Sequence, residues 1–266
     1  MKFGLPTLVE CKGIGECVEL ALELGLDFVE INMSFPQYNS DNLNIDELRE
    51  ITRKTGVFFT IHADEALNPF DFNKKVADCY FSVMEDTLKV AKAIGAPIVN
   101  MHLQKGIYVT LPERVILLTD VYFEEYKSRV TEFISMCEKN TKGSTVRVSI
   151  ENVDTNAFST SQLRMLPTFM RSDSFGLTLD TGHEMALGYR DSRVFEEYPS
   201  KLIHMHLHDC REKKPHLPLG EGDIDTLKKL KQLDPDATCL IEVKTIDGLR
   251  RSVRYLKEKG ILPNNK

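Results

Sequence analysis

The stretch "LIHMHLHD", residues 202–209, holds three of the chain's seven histidines. His204, His206 and His208 alternate with Ile203, Met205 and Leu207. A period of two is the signature of a β-strand, whose side chains point to opposite faces in turn. Over residues 203–208 one face is wholly apolar and the other carries only imidazole. The apolar face suits packing against helices, and the imidazole face suits a polar interior. Three imidazoles on one face are a metal site, a proton relay or a coincidence, and the rest of the chain decides between them.

Seven further short runs read as strands: "KFGLPT" (2–7), "DFVEINMS" (27–34), "VFFTIHA" (57–63), "PIVNMHL" (97–103), "TVRVSIEN" (145–152), "FGLTLDTGH" (175–183) and "ATCLIEVK" (237–244). Amphipathic helical patterns separate them, among them "ECVELALELG", "CYFSVMEDTLKVAKAIG" and "DGLRRSVRYLKEKG". Gly25, Gly56, Gly95 and Gly260 stand where a helix C-terminus calls for glycine. Regular βα alternation implies parallel strands with crossover helices. Eight such units predict a single-domain α/β fold, a (β/α)8 TIM barrel over residues 1–266. An open doubly wound sheet is the alternative, but no Gly-rich nucleotide fingerprint follows the first strand. The longest departures from a minimal barrel are 104–126 and 210–222.

The bulk numbers agree with one globular enzyme-sized unit. Of the 266 residues, 42% are hydrophobic and 28% charged, which sets the chain apart from disordered and membrane-spanning classes. No apolar run is long enough for a membrane span, and "MKFGLPTLVE" lacks a signal peptide's apolar core, so a cytoplasmic location is expected. The six cysteines include no C-x-x-C pair and read as reduced and structural. A net charge of -6 weighs against a large nucleic-acid surface.

Applied to every strand, the period of two gathers polar groups on the inward face near the C-terminal ends. They are Glu30 and Asn32, His62, Asn100 and His102, Glu151, Asp180, the three histidines, and Glu242. Any one of these has a bland reading. A lone His62 or His102 is a hydrogen-bonded core histidine, Glu30 and Asn32 cap the barrel rim, and His204 sits one layer deeper as a structural group. Together, buried carboxylates and imidazoles converging without compensation would be very costly. A divalent cation resolves that cost, and active sites of such barrels lie at this face.

"SIEN", "LDTGH", "HLHD", "HLPLGEGDI" and "LIEVK", in that order, resemble the xylose isomerase-like superfamily of barrels over nearly the whole chain. That superfamily includes sugar isomerases and epimerases, inositol-catabolism enzymes and the endonuclease IV (AP endonuclease family 2) repair nucleases. The resemblance implies a metal set of Glu151, Asp180, His206 and Glu242. It implies one divalent ion (Mn2+, Mg2+, Co2+ or Zn2+), with a second as the alternative. His62, His102, His183 and His216 match positions that relatives use for further metals or for substrate. Departures from the endonuclease IV pattern are "HLQKG" after strand four, a shorter loop after strand seven, and Lys214 where a metal-binding Asp is expected.

Two chemistries follow. In a sugar or sugar-phosphate isomerase or epimerase, Glu151 and Glu242 move a proton beside a metal-polarised carbonyl. His183 steadies a substrate oxygen there. His208 at the rim, Arg211 and Lys214 then contact substrate, with Lys213 beside them; a solvated turn is the other reading of that basic loop. In a zinc-dependent abasic-site phosphodiesterase the eight ligand-type residues share two or three ions and nucleic acid is the partner. A keto-cyclitol dehydratase or a non-catalytic binding protein are further readings of the same ligand set. The isomerase reading expects a small carbohydrate as partner, no membrane, and leaves room for a homo-oligomer.

Overall fold

A computed structural model describes residues 1–263. Residues 264–266, the last three of the expected domain, lie outside the described residues. Eight parallel strands close on themselves: β1 (Lys2–Pro6), β2 (Phe28–Asn32), β3 (Phe58–His62), β4 (Ile98–His102), β5 (Arg147–Glu151), β6 (Phe175–Asp180), β7 (Leu202–Leu207) and β8 (Thr238–Ile241). Each pairs with its sequence neighbours, and β8 returns to β1 with Lys2, Phe3 and Gly4 opposite Thr238, Cys239 and Leu240. The expected (β/α)8 barrel is therefore the observed one.

The main crossover helices are α1 (Ile14–Leu24), α2 (Ile45–Thr55) and α3 (Lys74–Ile94). The short α4 (Leu118–Val121) precedes α5 (Phe123–Thr141), α6 (Thr160–Arg171) and α7 (Thr181–Ala186). Then come α8 (Ser192–Glu197), α9 (Thr226–Leu230) and α10 (Ile246–Glu258). Asn44, Asn73, Ser159, Asp225 and Thr245 cap five of them by accepting a backbone N–H of the first turn. Gly25 and Gly56 close α1 and α2 in the left-handed region, at φ 75° and 77°, where a Cβ would be strained. Helix α6 is not among the expected ones. Pro167 lies inside it, and a Ser159–Gln162 capping box starts it. The two departures from a minimal barrel contain antiparallel hairpins, Tyr108–Thr110 with Val115–Leu117 and Asp209–Arg211 with Lys214–Leu217.

The alternation in the strands sorts the interior into layers. Ile203, Met205 and Leu207 are buried with the helices' apolar faces, and the histidines point into the barrel. At the bottom, Gly4 leaves room for Phe28; a Cβ there would sit 2.4 Å from that ring. Phe28 stacks on Phe58 at 5.2 Å between centroids. The middle layer is polar, with Glu30, Thr60, Asn100, Ser149, Thr178 and His204 all buried. Thr178 Oγ1 donates to Ser149 Oγ at 2.6 Å, so these groups satisfy one another rather than water. The five buried cysteines are free, and Cys79 is exposed and free. No helix among the described residues is long and apolar enough to cross a membrane.

Candidate active site

Strand register assembles the upper layer. Asp180 lies opposite His206, His206 opposite Leu240, and His102 opposite Glu151. Glu242 follows β8 directly and its N–H donates to Leu207 O at 3.0 Å. Glu151, Asp180, His206 and Glu242 thus offer ligand atoms that all lie within 4.8 Å of one another, and all four residues are buried. His206 Nδ1 is 3.1 Å from Glu151 Oε1, 3.1 Å from Glu242 Oε2 and 3.9 Å from Asp180 Oδ2. Despite these short distances, neither His206 Nδ1 nor Glu242 Oε2 has a hydrogen bond of acceptable angle. Buried polar atoms aimed at one point without partners are what a cation would satisfy. Bonds of about 2.0–2.2 Å to N and O ligands place those ligands some 3–4 Å apart. The residues present therefore fit a divalent ion.

Glu151 faces two ways. Its Oε2 accepts from Asn100 Nδ2 and lies 3.1 Å from His102 Nε2 and 3.4 Å from His62 Nε2. Burial alone would raise its carboxyl, but the neighbouring His206 and His102 hold it well below the usual carboxylate range. Glu242 is likewise pushed up by burial and brought down well below that range by His206 and Lys244. Burial disfavours a charge on His183, but Asp180 and Glu151 beside it carry its pKa up to about 10. His183 Nδ1 contacts Asn152 O at 3.2 Å, so Nε2 is the nitrogen left for a substrate oxygen. His216 is pushed down to about 4 by burial and by His208. It is held in the left-handed region at φ 59°.

A cavity of 370 Å3 opens above these residues. His62, His102, Glu151, His183, His216 and Glu242 line it, as do Glu65, Gln104, Lys105, Asp154, Asn156 and Lys244. Three residues expected at the substrate are elsewhere. His208 is fully buried behind Asp180, not at the rim. Arg211 points outward, donating to Glu221 O at 2.7 Å. Lys214 is exposed on the hairpin and does not line the cavity. Period-two alternation ends with the strand, so it does not say where loop side chains point. Glu30 does not cap a rim but lies buried beneath the Glu151–Asp180–His206–Glu242 cluster, 3.1 Å from His204 Nε2 and from His206 Nε2. Lys244 had no place in the expected site. Its Nζ sits 2.6 Å from Glu242 Oε1, and "IEVK" puts it two residues past Glu242, the only signal it leaves in the sequence.

Asp209 anchors the loop after β7. Its buried carboxylate accepts the N–H groups of Cys210, Gly220 and Ile224 at 2.9–3.0 Å. Gly222 packs so close to it that a Cβ would lie 2.3 Å from Asp209 Oδ1.

Known proteins resemble this chain in sequence or in fold. An uncharacterized protein of Methanocaldococcus jannaschii, MJ1311, is 26% identical over 278 residues, covering 100% of this chain and 92% of its own. A D-tagatose 3-epimerase-like protein is 25% identical with a TM-score of 0.77, covering 98% of each chain. IOLI protein with a bound zinc atom shares the fold at 17% identity and a TM-score of 0.74, over 98% of this chain and 97% of that one. Endonuclease IV from Thermus thermophilus does so at 18% identity and a TM-score of 0.66, over 97% of this chain and 100% of that one. A family profile described as xylose isomerase-like TIM barrel matches residues 18–259. With its closed eight-stranded barrel, this chain belongs to the xylose isomerase-like TIM barrel family.

Proposed function

We propose that the protein is a divalent-metal-dependent isomerase or epimerase of a polyhydroxy carbonyl compound of sugar type. The observation that carries this reading is the set Glu151, Asp180, His206 and Glu242, with unpartnered ligand atoms, under a small polar cavity. A cation held by these four would polarise a carbonyl and acidify the neighbouring C–H. Glu151 and Glu242 contact the same His206 nitrogen, so both carboxylates reach the reacting centre. Both are ionised, as a proton acceptor must be. One removes the proton, and the other returns it. His183, protonated near neutral pH, donates to a substrate oxygen. Lys244, next to Glu242 at the cavity wall, is a second donor. Glu65, Asp154, Gln104 and Asn156 suit hydroxyl groups. Arg211 and Lys214 do not line the cavity and Lys244 is tied to Glu242, which leaves Lys105 as the lining cation for a remote hydroxyl or phosphate of the substrate.

An abasic-site nuclease is the second reading, favoured by His62 and His102 within 3.4 Å of Glu151. The test is a panel of ketoses in D2O with metal-loaded protein. Deuterium should enter at the carbon beside the carbonyl, and Glu151→Gln should abolish it while leaving the fold intact. Absence of exchange with every sugar, together with EDTA-sensitive cleavage of an abasic oligonucleotide, would replace the first reading with the second.

A further inference from the structure

Both ring nitrogens of His208 are committed, and their partners differ in kind. The His216 backbone N–H donates to His208 Nδ1 at 2.8 Å. A backbone amide only donates, so Nδ1 carries the lone pair and the ring proton sits on Nε2. Nε2 lies 2.9 Å from Asp180 Oδ1 and 3.0 Å from Oδ2, and donates there. The Asp209 carbonyl, 3.3 Å from Nδ1, would ask for the other tautomer. That contact is longer, and the His216 amide has no acceptor role to fall back on, so the shorter bond decides. The ring is fully buried and has no room to turn. A Cβ on Gly182 would lie 2.0 Å from its Cε1 and 2.2 Å from its Nδ1, which accounts for the glycine of "LDTGH".

We propose that His208 is a positioning residue that ties the Asp209–Leu217 hairpin to the orientation of Asp180. On one side it holds the carboxylate for the cation. On the other it holds the backbone of His216, whose ring lines the cavity. This rests on the metal reading above. Each contact uses its own ring nitrogen, Nε2 toward Asp180 and Nδ1 toward the His216 amide, so each can be removed without the other.

Two substitutions separate the halves. In His208→Asn the amide oxygen stands near the Nδ1 position and still accepts from His216, but nothing reaches Asp180. In His208→Gln the amide nitrogen stands near Nε2 and still donates to Asp180, but the His216 amide loses its acceptor. The full-length protein is titrated with Co2+ and followed by its visible absorption, and hydrogen exchange is measured over residues 210–217. Expected are a fall in Co2+ affinity of about 10–100-fold for the Asn variant with hairpin exchange near wild type. The Gln variant should show near wild-type affinity with faster hairpin exchange. Equal Co2+ affinity in wild type and the Asn variant overturns the proposal. So does joint loss of affinity and protection in both variants, the mark of a merely structural ring. A wild-type protein that takes up no Co2+ refutes the metal reading itself.

Discussion

Replacing Glu30 by Gln tests how the proposed metal set is held from below. Glu30 Oε2 accepts from Thr60 Oγ1 at 2.8 Å and from His204 Nε2 at 3.1 Å. Its Oε1 lies 3.1 Å from His206 Nε2, off the line of a well-aligned hydrogen bond but close enough to favour a proton on that nitrogen. With one proton fixed on Nε2, the proton that the cation displaces is the one on Nδ1. In Glu30→Gln the amide oxygen keeps Thr60 and His204, and the amide NH2 then faces His206 Nε2. Two donors meet, and the ring proton is driven to Nδ1, the nitrogen the metal needs. Thr60 and His204 then donate to a neutral amide oxygen in place of a carboxylate, and the charge assistance lost from those two hydrogen bonds costs about 1.5–3 kcal/mol in all. At roughly 2–4 °C per kcal/mol for a domain of this size, the melting temperature in chelator should fall by about 3–12 °C. Metal affinity should fall by about 10–100-fold. Thermal unfolding in EDTA and a Co2+ titration measure the two effects. Wild-type metal affinity in this variant would refute the tautomer argument.

Three further outcomes are expected. Lys229 and Glu184 form a nearly buried ion pair between α9 and α7, joined by Ser192 Oγ. Lys229→Met leaves Glu184 without its cation and should cost about 3–5 kcal/mol in urea unfolding; an unchanged midpoint contradicts this. Burial disfavours charge on His206, but Glu151, Glu242 and Glu30 raise its pKa well above the ordinary value. The metal-free protein therefore carries a proton there at neutral pH. A cation must displace it, so affinity should rise with pH and weaken on acidification. Calorimetry in two buffers of different protonation enthalpy reads the released proton, and buffer-independent heats would count against it. Divalent ion at 100 times its Kd should stabilise the fold by about 2.7 kcal/mol, reversed by EDTA; a melting temperature indifferent to metal would argue against the site.

Much of the candidate site was legible because β-strand geometry is local. In "LIHMHLHD" or "VRVSIEN" each side chain's face follows from its parity alone, so the inward set appears without knowing the neighbours. Parity does not distinguish members of one face. His206 and His208 share it, yet His206 meets Glu151 and Glu242 while His208 meets Asp180 and the His216 amide. Glu30 and His204, 174 positions apart, read as rim and core until the barrel stacks one beside the other. Arg211 and Lys214 had suitable chemistry but sit beyond the strand, where a hairpin turns them outward. Helix α6 was hidden by Pro167, and Lys244, though it closes the motif "LIEVK", carried no role there beyond its parity with Glu242.

The sequence by itself determined the alternation of strands and helices, the closed barrel it implies, and the polar inward face that calls for a cation. Only the tertiary structure decided which of those inward groups meet. Parallel strands are joined by long crossovers, so their register depends on pairing between distant segments rather than on neighbours in the chain. That register sets Asp180 level with His206, and His102 level with Glu151. It also decides that two of the three alternating histidines support the site from behind and beneath, while His206 alone of the three faces its centre.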